Sequence, residues 1–195
     1  MARIDPLPRE ALAEFEDRLA FVEASMGFVP NSMHTMARVP GLLDGFMALG
    51  GAVLANDLVP GDLKQMIAMI TSAAAGCRYC QAHTGHTAHR QGVPEHKLEA
   101  IWQFETSEHF SEAERAALRL AFHAGQVPNA ATDDDFAAVK QHFTDEQVTA
   151  IVAVISFFGF LNRWNDTMAT TLEDQPGAFG ERVLSSNGWE RGKHR

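Results

Sequence analysis

The chain has 195 residues, 46% of them hydrophobic and 21% charged, which is enough for one domain with its own core. Its formal net charge of −9 argues against nucleic acid and anionic membrane surfaces as partners, since both need clustered Lys and Arg. The opening residues Met1 to Pro6 carry no secretory pattern, and the most apolar stretch, Val148 to Leu161, is too short to span a bilayer, so a cytoplasmic location is expected.

In chain order the pattern predicts helices joined by short turns; strict alternation is scarce, and Ala, Leu, Met, Glu and Gln are common. A first helix is expected from Pro8 to Ser25, then an irregular connector from Met26 to Pro40. Gly41 to Asn56 reads as a second helix, and Pro60 opens a third that runs to Ala75. A fourth starts at Cys77 and stops at Gly92, and Pro94 begins another that reaches Phe104. Ser111 with Glu114, Thr132 with Asp135, and Thr144 with Gln147 have the spacing of N-terminal caps. The last of these starts a long apolar helix to about Leu172. Residues 177–195 are Gly-rich at first and end in basic residues, which predicts a loosely ordered tail. The fold class expected is all-α, a single domain of eight or nine helices. Ile67 to Ser72 and Ile151 to Ser156 resemble each other, which leaves a duplicated helical unit open.

The chemistry-bearing segment is Gly76-Cys77-Arg78-Tyr79-Cys80-Gln81-Ala82-His83, which holds both cysteines of the chain. Two intervening residues bring the sulfurs within disulfide reach on one helical turn, so one sulfur can attack and the other can resolve. At a helix start, unpaired amides and the helix dipole favour a thiolate. At about 100° per residue, His83 lies on the same side as Cys80 and can approach its sulfur as a proton acceptor. Thr84 falls between the two cysteine directions and can donate a hydrogen bond, while His86, further round, is at most a supporting group. A zinc site built from Cys77, Cys80, His83 and His86 is not expected, because one straight helix fans these side chains too widely for a tetrahedral cage. No haem is expected either, since Gln81 rather than His follows the second cysteine.

These residues, together with the apolar helix from Leu63, the later Ala88 and Gly92, Glu114 to Leu118, and Phe160-Leu161-Asn162-Arg163, resemble the alkylhydroperoxidase D / carboxymuconolactone decarboxylase superfamily. The resemblance implies an AhpD-like helical bundle that forms homo-oligomers, and a thiol oxidoreductase that reduces hydroperoxides or small disulfides with an external thiol as reductant. It implies that Cys80 reacts with peroxide and Cys77 closes the disulfide. The family's proton relay uses a glutamate and a histidine where this chain has Gln65 and Thr84, so the relay is either re-routed through His83 or absent. Tyr79 supports the pair from between the cysteines. No cofactor is implied. The alternatives are a non-catalytic oligomer that senses redox state or binds a partner, a metal-binding helical protein, and a decarboxylase-like enzyme for which Arg78 and Arg163 would meet an anionic lactone. Phe157, Phe158, Phe160 and Trp164 read first as core or interface, and second as the wall of a pocket for an organic hydroperoxide.

Overall fold

A computed structural model describes residues 2–195. Ten α-helices and no strand occur among them. The helices are α1 (Glu16–Met26), α2 (Asn31–Met36), α3 (Leu42–Leu54), α4 (Gly61–Ala74), α5 (Arg78–Arg90), α6 (Glu95–Glu99), α7 (Glu112–Ala124), α8 (Asp133–Val139), α9 (Asp145–Met168) and α10 (Asp174–Phe179). The count exceeds the expected eight or nine because the connector after Met26 contains α2, and because α10 spans the start of the supposed tail. The first predicted helix is a 3₁₀ stretch, Arg9–Phe15, bent at Leu12 and continued by α1.

Each predicted cap is present. Ser111, Thr132 and Thr144 accept the backbone N–H of Glu114, Asp135 and Gln147, and each partner side chain reaches back to the cap amide. Gly92, at φ +98°, ends the segment that follows α5, a conformation that costs an L side chain heavily.

The centre of the bundle is α4. Every residue from Leu63 to Ser72 is buried, and α4 packs against α5, α7 and α9. Ile67, Ala68 and Met69 are fully enclosed, each large side chain contributing roughly 1.5–3 kcal/mol by leaving water. Both copies of the repeated apolar pattern fall on this central pair, one on α4 and one on α9. A smaller cluster of Leu12, Phe15, Leu19, Met33, Met36 and Leu43 closes the N-terminal end. Lys64 is buried on α4, where burial lowers its pKa against the opposing charge of Asp57. Its ammonium donates to the carbonyls of Leu54 and Asn56, and so satisfies the open C-terminal end of α3.

Two expectations are overturned. The apolar run at Val148 belongs to a 24-residue helix, long and apolar enough to cross a membrane. In this fold α9 is instead a core helix, with Val154, Ile155, Phe157 and Phe158 packed inside. The C-terminal segment is tied down rather than loose. Val183, Leu184, Trp189 and His194 are buried, and Trp189 Nε1 donates to the Arg78 carbonyl at 3.0 Å. The glycines that suggest flexibility make room for close packing. A Cβ on Gly180 would lie 2.6 Å from the Trp189 ring, and one on Gly177 would meet the Arg191 guanidinium.

His194 fastens the end of this segment. Its Nδ1 lies 2.8 Å from the Thr170 carbonyl, and its backbone carbonyl accepts from Leu172 N. Burial lowers its pKa, with the Thr170 carbonyl and Asp166 opposing and Lys193 assisting. A folded-state pKa below the free value of about 6.5 means that protonation favours the detached segment. Attachment is therefore complete above about pH 6.5 and weakens as pH falls towards the folded-state pKa. Amide exchange over residues 189–195, corrected for intrinsic rate, is expected to speed up relative to the core between pH 7.5 and 5. An unchanged ratio across that range would refute the role given to His194.

Candidate active site

Cys77 is the N-cap of α5, with extended backbone, and its Sγ accepts the backbone N–H of Cys80 at 3.4 Å. The opening amide of the helix is thus directed at Cys77 rather than Cys80. Both cysteines are unpaired thiols, and both are buried. Burial pushes the Cys80 thiol well up, and the hydrogen bond and charge of Cys77 push the same way. The Asn165 amide opposes this, donating to Cys80 Sγ at 3.5 Å. The helix start thus serves Cys77 and not Cys80, the sulfur that the family resemblance puts first.

His83 hydrogen-bonds to neither sulfur among the described residues. Its Nε2 lies 2.6 Å from Glu173 Oε2, and its ring stacks on Tyr79 with centroids 4.1 Å apart. The Tyr79 hydroxyl donates to Glu173 Oε1 at 2.9 Å, and Asn31 N donates to the same oxygen at 2.5 Å. Burial raises the Glu173 pKa, but His83 and the Asn31 amide outweigh it and hold the carboxyl below its usual range. Burial and Glu173 push the Tyr79 hydroxyl well up, so it stays a neutral donor. Glu173, just before α10, joins α2 and α5 through one carboxylate. The approach of His83 to Cys80 expected from helix geometry alone fails because this carboxylate holds the ring.

The remaining predicted residues divide as follows. Thr84 gives its hydroxyl proton to the carbonyls of Cys80 and Gln81, its own helix, and not to a sulfur. Gln65 is buried on α4, and no hydrogen bond joins it to either sulfur. His86 packs between Phe28 and Phe179; burial pulls its pKa down to about 4, helped by Arg90, so it is neutral at pH 7. Phe157 and Phe158 are core residues, Phe157 stacked on Phe46, while Phe160 stacks on Trp164. Asp166 does not pair with Arg163 but with Lys193, at 2.7 Å.

Sequence reasoning does not single out Asn165 or Glu173. Asn165 leaves one trace: with Asn162 it places two amides at i and i+3 near the end of an otherwise apolar helix. Glu173 leaves none, because its partners lie far off in the chain.

An all-helical bundle with a dithiol at the start of a central helix defines the class of protein. A model of the carboxymuconolactone decarboxylase family matches residues 40–122. A cysteine-to-alanine variant of the debrominase Bmp8 in complex with 2,3,4-tribromopyrrole is 36% identical, with a TM-score of 0.88 over 94% of this chain and 98% of its own. An AhpD-core, peroxidase-related protein from Ralstonia eutropha JMP134 is 27% identical, with a TM-score of 0.74 over 87% of this chain and 88% of its own. YdfG of Bacillus subtilis is 27% identical over 104 residues, 52% of this chain and 68% of the relative. The chain belongs to the AhpD/carboxymuconolactone decarboxylase superfamily, whose members include enzymes.

Proposed function

We propose that the protein is a dithiol reductase, in which Cys77 and Cys80 deliver two electrons to a small electrophile and end as a disulfide. The observation that carries this reading is the asymmetry of the pair. Both sulfurs are buried, but Cys77 accepts the amide at the helix start, whereas Cys80 accepts none there and its thiol is pushed up. The sulfur that receives the helix-start amide thus stands beside one that keeps its proton. This reverses the order of attack that the family resemblance implies.

The similarity to a debrominase over nearly its whole length favours a bromoaromatic substrate. The Cys77 thiolate takes bromine from carbon, and the carbanion takes the Cys80 proton. The Cys80 thiolate then attacks the Cys77 sulfur and expels bromide. Bromoarene and dithiol become arene, disulfide, bromide and a proton, and an external thiol must restore the pair. A second reading, favoured by the similarity to a peroxidase-related protein, gives alcohol and water from a hydroperoxide by the same two-sulfur sequence. Gln65 and Thr84 in place of an acid–base relay weigh against a fast version of it. A homo-oligomer belongs to this reading, since Leu49 and Phe160 are 54% and 40% exposed and leave apolar surface for a second copy.

The test mixes reduced protein with 2,3,4-tribromopyrrole and, separately, with cumene hydroperoxide. Bromide, thiols and disulfide are counted. One bromide per two thiols lost is expected with the first compound. Thiols untouched by both would end the proposal.

A further inference from the structure

A hollow lies between the C-terminal half of α4, the α7–α8 connection and α9. Its volume is about 710 Å³, ample for a compound of one or two rings. Ala74, Val152 and Ile155 give it apolar walls, and Thr71 adds a hydroxyl. Two further residues do not suit a purely structural cleft. Asn162 lines it, is 3% exposed, and has no hydrogen-bond partner for either its amide oxygen or its amide nitrogen. A buried polar atom left unpaired costs roughly 1–3 kcal/mol, so the pair of atoms is a standing demand for a donor and an acceptor. Arg163, exposed on the same wall, makes no ion pair among the described residues, and its guanidinium donates to the carbonyl of Gly159 at 3.4 Å.

The helix that walls the cleft, α9, also touches a thiol. Asn162 and Asn165 share one face of α9, and Asn165 Nδ2 contacts Cys80 Sγ. The Asn165 amide oxygen is likewise buried and without a partner. Because Asn162 makes no hydrogen bonds, it gives up none when it turns to let a ligand pass. Asp166, the acidic group of the cleft, is engaged by Lys193 and leaves the Arg163 charge uncancelled.

We propose that this cleft binds a planar aromatic N–H or O–H acid, an azole or phenol made more acidic by halogens, and that Asn162 recognises its polar edge. The inference rests on the dithiol reading for its consequence but not for its test. Asn162 offers a carbonyl to the neutral N–H or O–H and an amide N–H to the anion. Arg163 attracts the anionic form, and the apolar walls take the halogens.

Binding of 2,3,4-tribromopyrrole to the full-length reduced protein is measured by calorimetry. Asn162→Leu, which keeps the volume and removes both polar atoms, is expected to weaken binding about tenfold. Arg163→Gln is expected to weaken it a few-fold and to flatten its salt dependence. Ser156→Trp, placed at an exposed position on the wall, fills the cleft without touching the core and is expected to abolish binding. Circular dichroism and the thermal midpoint check that each variant is folded. Undiminished binding by Asn162→Leu and Ser156→Trp together, or no binding by the wild type, overturns the proposal. Thiol loss to cumene hydroperoxide in the same preparation reads the dithiol function separately. A protein that loses two thiols but does not bind the bromopyrrole refutes the cleft alone. One that binds it in the cleft while its thiols stay inert refutes the reductase alone.

Discussion

Serine in place of either cysteine is expected to lower turnover by about a thousandfold or more, because two sulfurs acting in sequence behave as a unit. The two variants should differ in what they leave behind. With Cys80→Ser the Cys77 thiolate can still attack, but no second sulfur resolves the product. A sulfenic acid should therefore build up at Cys77 during hydroperoxide exposure, visible as a dimedone adduct by mass spectrometry. With Cys77→Ser the helix-start amide no longer meets a sulfur, and the Cys80 thiol, still pushed up by burial though freed of the Cys77 contribution, should react slowly. A rapid adduct on Cys80 in that variant would restore the order implied by the family resemblance. Wild-type turnover in both variants would remove the dithiol from the chemistry altogether.

Glu173→Leu is expected to destabilise the fold by about 3–5 kcal/mol, because it leaves charged or polar partners buried without an acceptor. Three groups lose theirs at once: His83 Nε2, the Tyr79 hydroxyl and the Asn31 amide. The carboxylate is 11% exposed and His83 8%, so water reaches neither freely. Glu173→Gln keeps the shape and one acceptor, and should cost less than half as much. Urea unfolding of both variants gives the comparison, and a loss under about 0.5 kcal/mol for Glu173→Leu would show that the network contributes little. The pH dependence follows from the sign of the shift. A carboxyl whose folded pKa lies below its unfolded value of about 4.3 stabilises the protein above that value. The contribution fades as pH falls through the folded pKa, and Glu173→Leu should be insensitive to this part of the acid range.

Much of the helical order is legible in the sequence, because it depends on local signals. The three capping boxes, Pro60 and Gly92 each act within a turn of themselves, and each marks a real boundary. The cysteine pair is legible for the same reason. The misplaced features depend on distant partners. His83 points where Glu173 holds it, 90 residues on. The glycines at 177 and 180 read as flexible until Arg191 and Trp189 are seen lying against them. Asn165 meets Cys80 only because α9 packs beside α5. Local chemistry thus picks out the candidate thiols. What surrounds each sulfur depends on packing that spacing does not encode.

The position of Cys77 also bears on how an unreactive form of the protein should be prepared for trapping a bound substrate. In the proposed reaction its sulfur is a reacting atom, and in the structure it is the terminus on which the first turn of α5 closes. Alanine there would silence the chemistry and also strip the turn of its acceptor, a loss of about 1 kcal/mol that could loosen the very geometry to be captured. Serine keeps an oxygen in that place and is the safer silent substitute. A crystallographer choosing between the two would be choosing whether the empty site keeps its native shape.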